Sequence, residues 1–419
     1  MTRTVLLYTD SHSFCGVGVI NAVLLEALQD AGYRTLCAQR PEDTPLQARL
    51  KVRGIEYHWF DCNPEADPSR FANDKFRPAG IFAAARPDLV LFSNGTPMLS
   101  FSAVHTARFL GIPYVIREGL ISPHLLPKEP QTAAAFGHNY RAARAVVATC
   151  QQNLDLIKAH FSLPLERGCV VVNGPAPVFF EPVDADRRRR LRAEIGVGDA
   201  AVLCFTVAKL EQVKGHDLQL RAIEALQARP EWQRLHFAWA GEGSRRAEIE
   251  SRIRELGVAD RVTLLGHRWD VASWLDAADI FVLPSRAEGI CNAMLEALAK
   301  GLPTVVSAVG GLPEALGDTG RLIAKPSDPD ATVRELVETI AAWAADDALR
   351  QRVADACRRR ASAHFSQERM VEEYMGIIER AWAAPKDLQA KSSRGASVRS
   401  DEGDRGAPAP RHKATNGRR

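Results

Sequence analysis

The chain has 419 residues, 46% of them apolar and 25% charged, with a formal net charge of +3. That length is too great for one ordinary core and suits two domains, while the balance is that of a soluble globular protein and not of a nucleic-acid-binding one. No apolar run approaches the roughly 18 residues a membrane span needs, and MTRTVLLYTD at the start lacks the length and cleavage site of a signal peptide, so a cytoplasmic location is expected.

From the N-terminus, β-rich runs alternate with helical stretches. Residues 4–9, 34–39, 55–60, 88–93, 113–118, 145–150 and 168–173 read as strands. Amphipathic segments separate several of them; AVLLEALQDAG, from Ala22, ends at a glycine as a helix does. Such alternation implies a parallel sheet with helices on both faces. After a polar, arginine-rich segment near 183–200, a second series follows at 201–208, 235–240, 261–266, 279–284, 303–308 and 321–325. The fold class is therefore α/β, with two Rossmann-like domains in tandem and a hinge near VNGPAPVFFEP (172–182), where glycine and prolines punctuate the chain.

Residues 347–383 continue as a helical pattern broken around HFSQE. The tail 386–419 is rich in Gly, Pro, Ser and charge and is expected to be disordered. It holds nine basic against four acidic residues, so it accounts for the net positive charge. Two further basic runs, Arg187 to Arg190 and Arg358 to Arg360, are either solvated helix faces or a peripheral contact with an anionic membrane. Eight cysteines (15, 37, 62, 150, 169, 204, 291 and 357) are scattered with no C-x-x-C pair. They read as free thiols, with neither a disulfide framework nor a metal site.

Chemistry concentrates in a few loops at predicted strand ends, where ligands of open α/β sheets sit. AEGICNAMLEALAKG (287–301) places Glu288 before a helix and Glu296 inside its first turns, about two turns further along. Taken singly, each acid is explained by the positive end of a helix. TVAKLEQVKGHD (206–217) supplies Lys209 and Lys214 after a strand, and AGEGSRRAEIE (240–250) supplies Gly241 and Gly243. DSHSFCGVGVINA (10–22) carries Gly16 and Gly18 between a strand and a helix. The third glycine of a dinucleotide fingerprint is Asn21 here and no acid ends the second strand, which argues against a nicotinamide cofactor.

The block SRAEGICNAMLEALAKGLPTVVSAVGGLPE resembles the signature of retaining glycosyltransferases of family 4, which share an E-x7-E motif and the GT-B fold. The resemblance covers most of residues 1–383. It implies a first, acceptor-side domain over 1–173, a nucleotide-sugar-binding domain over 174–364 facing it across a central cleft, and a helix over 365–383 that packs back on the first. It also implies transfer of a sugar from a nucleoside-diphosphate sugar, a co-substrate, to an acceptor the motifs leave open, with no metal and no cofactor.

By the same resemblance Glu296 would take the ribose hydroxyls and Glu288 hydroxyls of the donor sugar. The amides of Gly289, Ile290, Cys291 and Asn292 would face sugar and diphosphate, and Lys209 and Lys214 would neutralise the leaving diphosphate, Lys209 standing where the family has arginine. Gly243 and His267 would lie near the base, and the loop of Gly16 and Gly18 across the cleft. On the acceptor side stand His12, Asn94, Arg117 and Glu118; the last two occupy the strand end where many members carry a histidine. In GGLPE, Glu314 either contacts ligand or complements the start of its own helix. Two other readings fit the same pattern: a nucleotide-sugar epimerase of this architecture, and a protein that binds nucleotide-sugar without turning it over.

Overall fold

The computed structural model describes residues 2–11, 15–60, 74, 76–97 and 99–383. His12, Cys62 and the tail 386–419 lie outside the described residues.

The first sheet is built from β1 (Thr4–Tyr8), β2 (Arg34–Gln39), β3 (Glu56–Trp59), β4 (Leu89–Asn94), β5 (Tyr114–Glu118), β6 (Ala145–Ala148) and β7 (Gly168–Val170). Its order is β3-β2-β1-β4-β5-β6-β7, and every pairing is parallel. The second sheet comprises β8 (Val202–Val207), β9 (Leu235–Ala240), β10 (Val262–Gly266), β11 (Ile280–Leu283), β12 (Thr304–Ser307) and β13 (Arg321–Ile323). It is also wholly parallel, in the order β10-β9-β8-β11-β12-β13. All thirteen strands fall on the runs read from the sequence. Central strands such as β1, β4, β5 and β11 are buried at every position, which is why they appear as unbroken apolar runs. The strand order reverses between β1 and β4 and again between β8 and β11, and those two switch points open the crevices where an α/β sheet takes its ligands.

The last helix, Gln367–Ala383, returns to the first sheet. Met370, Tyr374, Ile377, Ile378 and Ala381 share one apolar core with Val5, Leu7, Leu24 and Val115. Trp382 closes that core from outside, stacked on Tyr33 with ring centroids 6.3 Å apart and covered by the Arg3 guanidinium. Where the chain crosses back, Gly174 lies against the backbone of Ser366 so closely that an added Cβ would stand 1.9 Å from its carbonyl oxygen.

The basic runs are largely engaged within the fold. Arg187 pairs with the buried Asp276, and Arg188 and the buried Arg192 pair with Asp279. Arg358 donates to the Phe180 carbonyl, and Arg360 to the carbonyls of Glu314 and Ala315. Among the described residues no helix is long and apolar enough to cross a membrane. The seven described cysteines are all free thiols.

Candidate active site

At the carboxyl end of β11 the chain turns through Pro284, Ser285 and Glu288 before the helix Asn292–Lys300 begins. Proline ends the ladder because it has no N–H to donate. The loop after β8 packs on this turn through Gly215, at a φ of 74° that favours glycine; a Cβ there would stand 2.1 Å from the Pro284 carbonyl oxygen. That contact sets the adjacent Lys214 beside Glu288. The ammonium donates to Glu288 Oε1 at 2.6 Å, and the buried Ser285 hydroxyl donates to the same oxygen at 2.7 Å. Oε2 takes no hydrogen bond from any described residue. Burial pulls the Lys214 ammonium down, but the Glu288 carboxylate more than offsets it and holds its pKa above the ordinary lysine value.

Glu296 differs in every respect. It is half-buried on the same helix and makes no hydrogen bond or ion pair with a described residue. Burial alone pushes its carboxyl up to about 7. Between the two acids the helix starts at Cys291 without a side-chain cap, so its first amides keep their donors unmatched by side chains. The order along the element is acid with cation, uncapped amides, acid without partner. A chain of sugar hydroxyls, diphosphate and ribose presents the complementary order.

Of the other residues expected at the donor side, Gly16, Gly289 and Ile290 touch this row or its turn. Lys209 is exposed on the loop after β8. Gly243 packs under that loop, its Cβ position 2.4 Å from the Leu210 carbonyl oxygen, so a side chain there would force the loops apart. His267 is exposed after β10, edge-on to Trp269 at 4.8 Å. Gly289 and Ile290 lie in the turn itself, and a Cβ on Gly289 would stand 1.9 Å from the Gly119 carbonyl oxygen of the first domain. Gly16 opens the helix Gly16–Asp30 and accepts through its carbonyl from Asn292 Nδ2 at 3.1 Å, whereas Gly18 is buried in that helix. Cys291 stays a neutral thiol, pushed up to about 12 by burial.

The residues expected on the acceptor side do not form one group. Consecutive strand residues point to opposite faces, and Arg117 and Glu118 are consecutive in β5. Arg117 is buried toward the last helix and donates to Asn173 Oδ1 at 3.2 Å. Glu118 is fully buried on the other face and accepts from the Tyr140 hydroxyl at 2.6 Å and from Asn94 Nδ2 at 3.0 Å. Burial pushes its carboxyl up to about 7, against the pull of those two donors. Both donors go to Oε1, while Glu118 Oε2 and Asn94 Oδ1 are buried without a hydrogen-bond partner among the described residues.

Several side chains at the cleft carried no signal in the sequence. Asn173 Nδ2 donates to Asn292 Oδ1 at 2.7 Å, so the hinge, the helix of the second domain and the glycine-rich loop form one polar chain. Asp10, just beyond β1, is buried and accepts from the Ser100 amide at 2.6 Å; burial pushes it up to about 7. Its position at a strand end was the available clue. No three His, Cys, Asp or Glu side chains gather as a metal site among the described residues.

Residues 16–174 match the model of the glycosyl transferase 4-like domain, and residues 201–342 that of glycosyl transferases group 1. The mannosylfructose-phosphate synthase of Agrobacterium fabrum is 32% identical over 201 residues, 46% of this chain and 44% of that one. The D-inositol 3-phosphate glycosyltransferase of Xylanimonas cellulosilytica is 28% identical over 311 residues, 72% of this chain and 69% of that one. The chain thus spans less than half of the first relative and just over two thirds of the second. Anabaena HepE, solved in complex with UDP-glucose, superposes with a TM-score of 0.74 at 20% identity, covering 91% of this chain and 100% of that one. With both halves matched to transferase domains and the two-sheet architecture shared, the chain belongs to the family 4 type of glycosyltransferases with the GT-B fold.

Proposed function

We propose that this enzyme moves a sugar from a nucleoside-diphosphate sugar to an acceptor hydroxyl with retention of anomeric configuration and without a metal ion. The observation that carries the reading is the row along the helix Asn292–Lys300: Glu288 held by Lys214 and Ser285, then uncapped amides, then the unpartnered Glu296. Glu288 reads the sugar through Oε2, and the ionised Glu296 accepts from the ribose hydroxyls. The amides of Gly289 to Asn292 meet the diphosphate, and Lys214 and Lys209 neutralise it as the anomeric C–O bond breaks. The acceptor oxygen forms its bond on the same face, and its proton passes to the departing phosphate oxygen.

In this reading residues 174–364 hold the donor and residues 1–173 present the acceptor. Glu118, an acid of the first domain, is fully buried and so is no candidate for one of the paired carboxylates of a glycosidase. HepE was solved with UDP-glucose, so a uridine donor stands first among those to try. A thermal-shift screen with UDP-, GDP- and ADP-sugars tests the donor, followed by product analysis with candidate acceptors. Stabilisation by one nucleotide series and a product of retained configuration support the reading. A donor converted to another nucleotide-sugar without acceptor, or bound and never consumed, contradicts it.

A further inference from the structure

Glu314 is not taken up by the donor site. It lies in the first turn of the short helix Leu312–Leu316 of the second domain, and its carboxylate oxygens bond beyond that helix. It reaches the first domain, where Oε2 accepts from the Gln151 amide at 2.8 Å and Oε1 from the Gln152 amide at 2.9 Å. Those amides open the helix Gln151–Phe161, whose own N-cap residue, Cys150, supplies no side-chain bond. A helix of one domain is thus capped by an acid of the other, in a bidentate, charge-assisted contact that a separation of about 1 Å would break.

The surrounding backbone is shaped for this contact. Gly311 lets the loop touch Cys150, since an added Cβ would come within 2.6 Å of the Cys150 Cβ. Gly310, at a φ of 54°, lies against the Glu288 carbonyl, and Gly311 donates its amide to the Gly289 carbonyl at 2.9 Å. Arg360 holds the carbonyls of Glu314 and Ala315 from behind. The Glu314 loop is therefore tied at once to the turn that carries Glu288 and to the first domain.

We propose that Glu314 is a positioning residue for transfer: by capping the helix Gln151–Phe161 from the opposite domain, it holds the cleft closed with the Glu288 turn facing the acceptor side. This rests on the donor reading above. Closure of this kind aligns reactants and excludes water. Three variants of the full chain test it. Glu314→Ala removes both acceptors; Glu314→Gln keeps one neutral oxygen. Gln151→Pro deletes one of the two amides at the first helical position, where proline is tolerated and where Cys150, at φ −150° and ψ 163°, already has the extended backbone proline requires.

Glu314→Ala is expected to lower kcat about 10- to 30-fold, leave donor affinity within about threefold, and raise the share of donor lost to water. Glu314→Gln recovers part of the loss, and Gln151→Pro moves the same way with a smaller effect. Unchanged kcat in Glu314→Ala overturns the proposal, as does a parallel fall in kcat and donor affinity. Small-angle scattering on the unliganded variants separates the two readings. If the wild type binds no nucleotide-sugar, the donor reading fails by itself; if Glu314→Ala and Gln151→Pro scatter like the wild type, the clasp fails whatever the donor.

Discussion

Two buried carboxyls, one on each side of the cleft, are pushed up to about 7 by the same cause and are put to opposite uses. Glu118 in β5 is fully enclosed; Tyr140 and Asn94 both donate to its Oε1, and its Oε2 has no partner among the described residues. Glu296 in the helix Asn292–Lys300 is half-buried, reachable and without a partner. A desolvated acid sealed from solvent is part of the frame, whereas a reachable one lacking donors is a place for a ligand to supply them. Glu288 likewise has one oxygen occupied, by Lys214 and Ser285, and the other without a donor from the described residues. The difference between frame and site thus lies in whether a ligand can reach the oxygen that lacks a donor.

The sharpest way to break this contrast is Lys214→Ala. It removes the cation from Glu288 and from the leaving diphosphate together, and steady-state kinetics should show kcat reduced by two to three orders of magnitude, on the order of 3–4 kcal/mol. Near-normal turnover would remove the phosphate role.

Glu118 predicts a dependence of stability on pH. Its folded pKa, about 7, lies above the ordinary 4.5, so between those values the folded state binds more protons than the unfolded one, and stability falls as pH rises through that window. For this fully buried group the span corresponds to roughly 3 kcal/mol, and Asp10 and Glu296, also raised to about 7, act with the same sign. Chemical denaturation from pH 5 to 8 should show the decline, and Glu118→Gln should lower its slope by about a third while leaving donor affinity unchanged. An equally steep decline in the variant would show that Glu118 titrates normally.

Glu296 predicts a dependence of binding instead. Two hydrogen bonds from ribose hydroxyls, at about 1–1.5 kcal/mol each, are worth about 2–3 kcal/mol together, so Glu296→Ala should weaken donor binding about 30- to 150-fold. Wild-type affinity should drop as pH falls below about 7 and the carboxyl protonates, and Glu296→Gln should abolish that slope. The smallest effect belongs to Ser285→Ala, which removes one hydrogen bond from a carboxylate that keeps Lys214. About 1 kcal/mol, near fivefold in kcat/KM, is expected; a loss as large as that of Lys214→Ala would mean that Ser285, not the lysine, holds Glu288.

The contrast also separates what was legible in the sequence from what was not. Buried parallel strands are continuous apolar runs, so β1, β4, β8 and β11 were visible, and strand–helix alternation marked the sheets as parallel without giving the strand order. The row Glu288 to Glu296 was visible because one turn and one helix carry it. Arg117 and Glu118 looked like one pair because they are adjacent in the chain, but the pleat sends them to opposite faces. The bridge from Asn173 to Asn292 joins residues 119 positions apart, and Glu314 meets Gln151 across 163. Contacts of that range depend on how two domains dock, and no local pattern records them.

The most direct measurement is a calorimetric titration of the wild type and Glu296→Ala with UDP-, GDP- and ADP-sugars at pH 8. The expected result is saturable binding of one nucleotide series by the wild type and a 30- to 150-fold weaker constant for the variant. Equal affinity in the two proteins, or no binding of any nucleotide-sugar to the wild type, would contradict the role given to the row on the helix Asn292–Lys300.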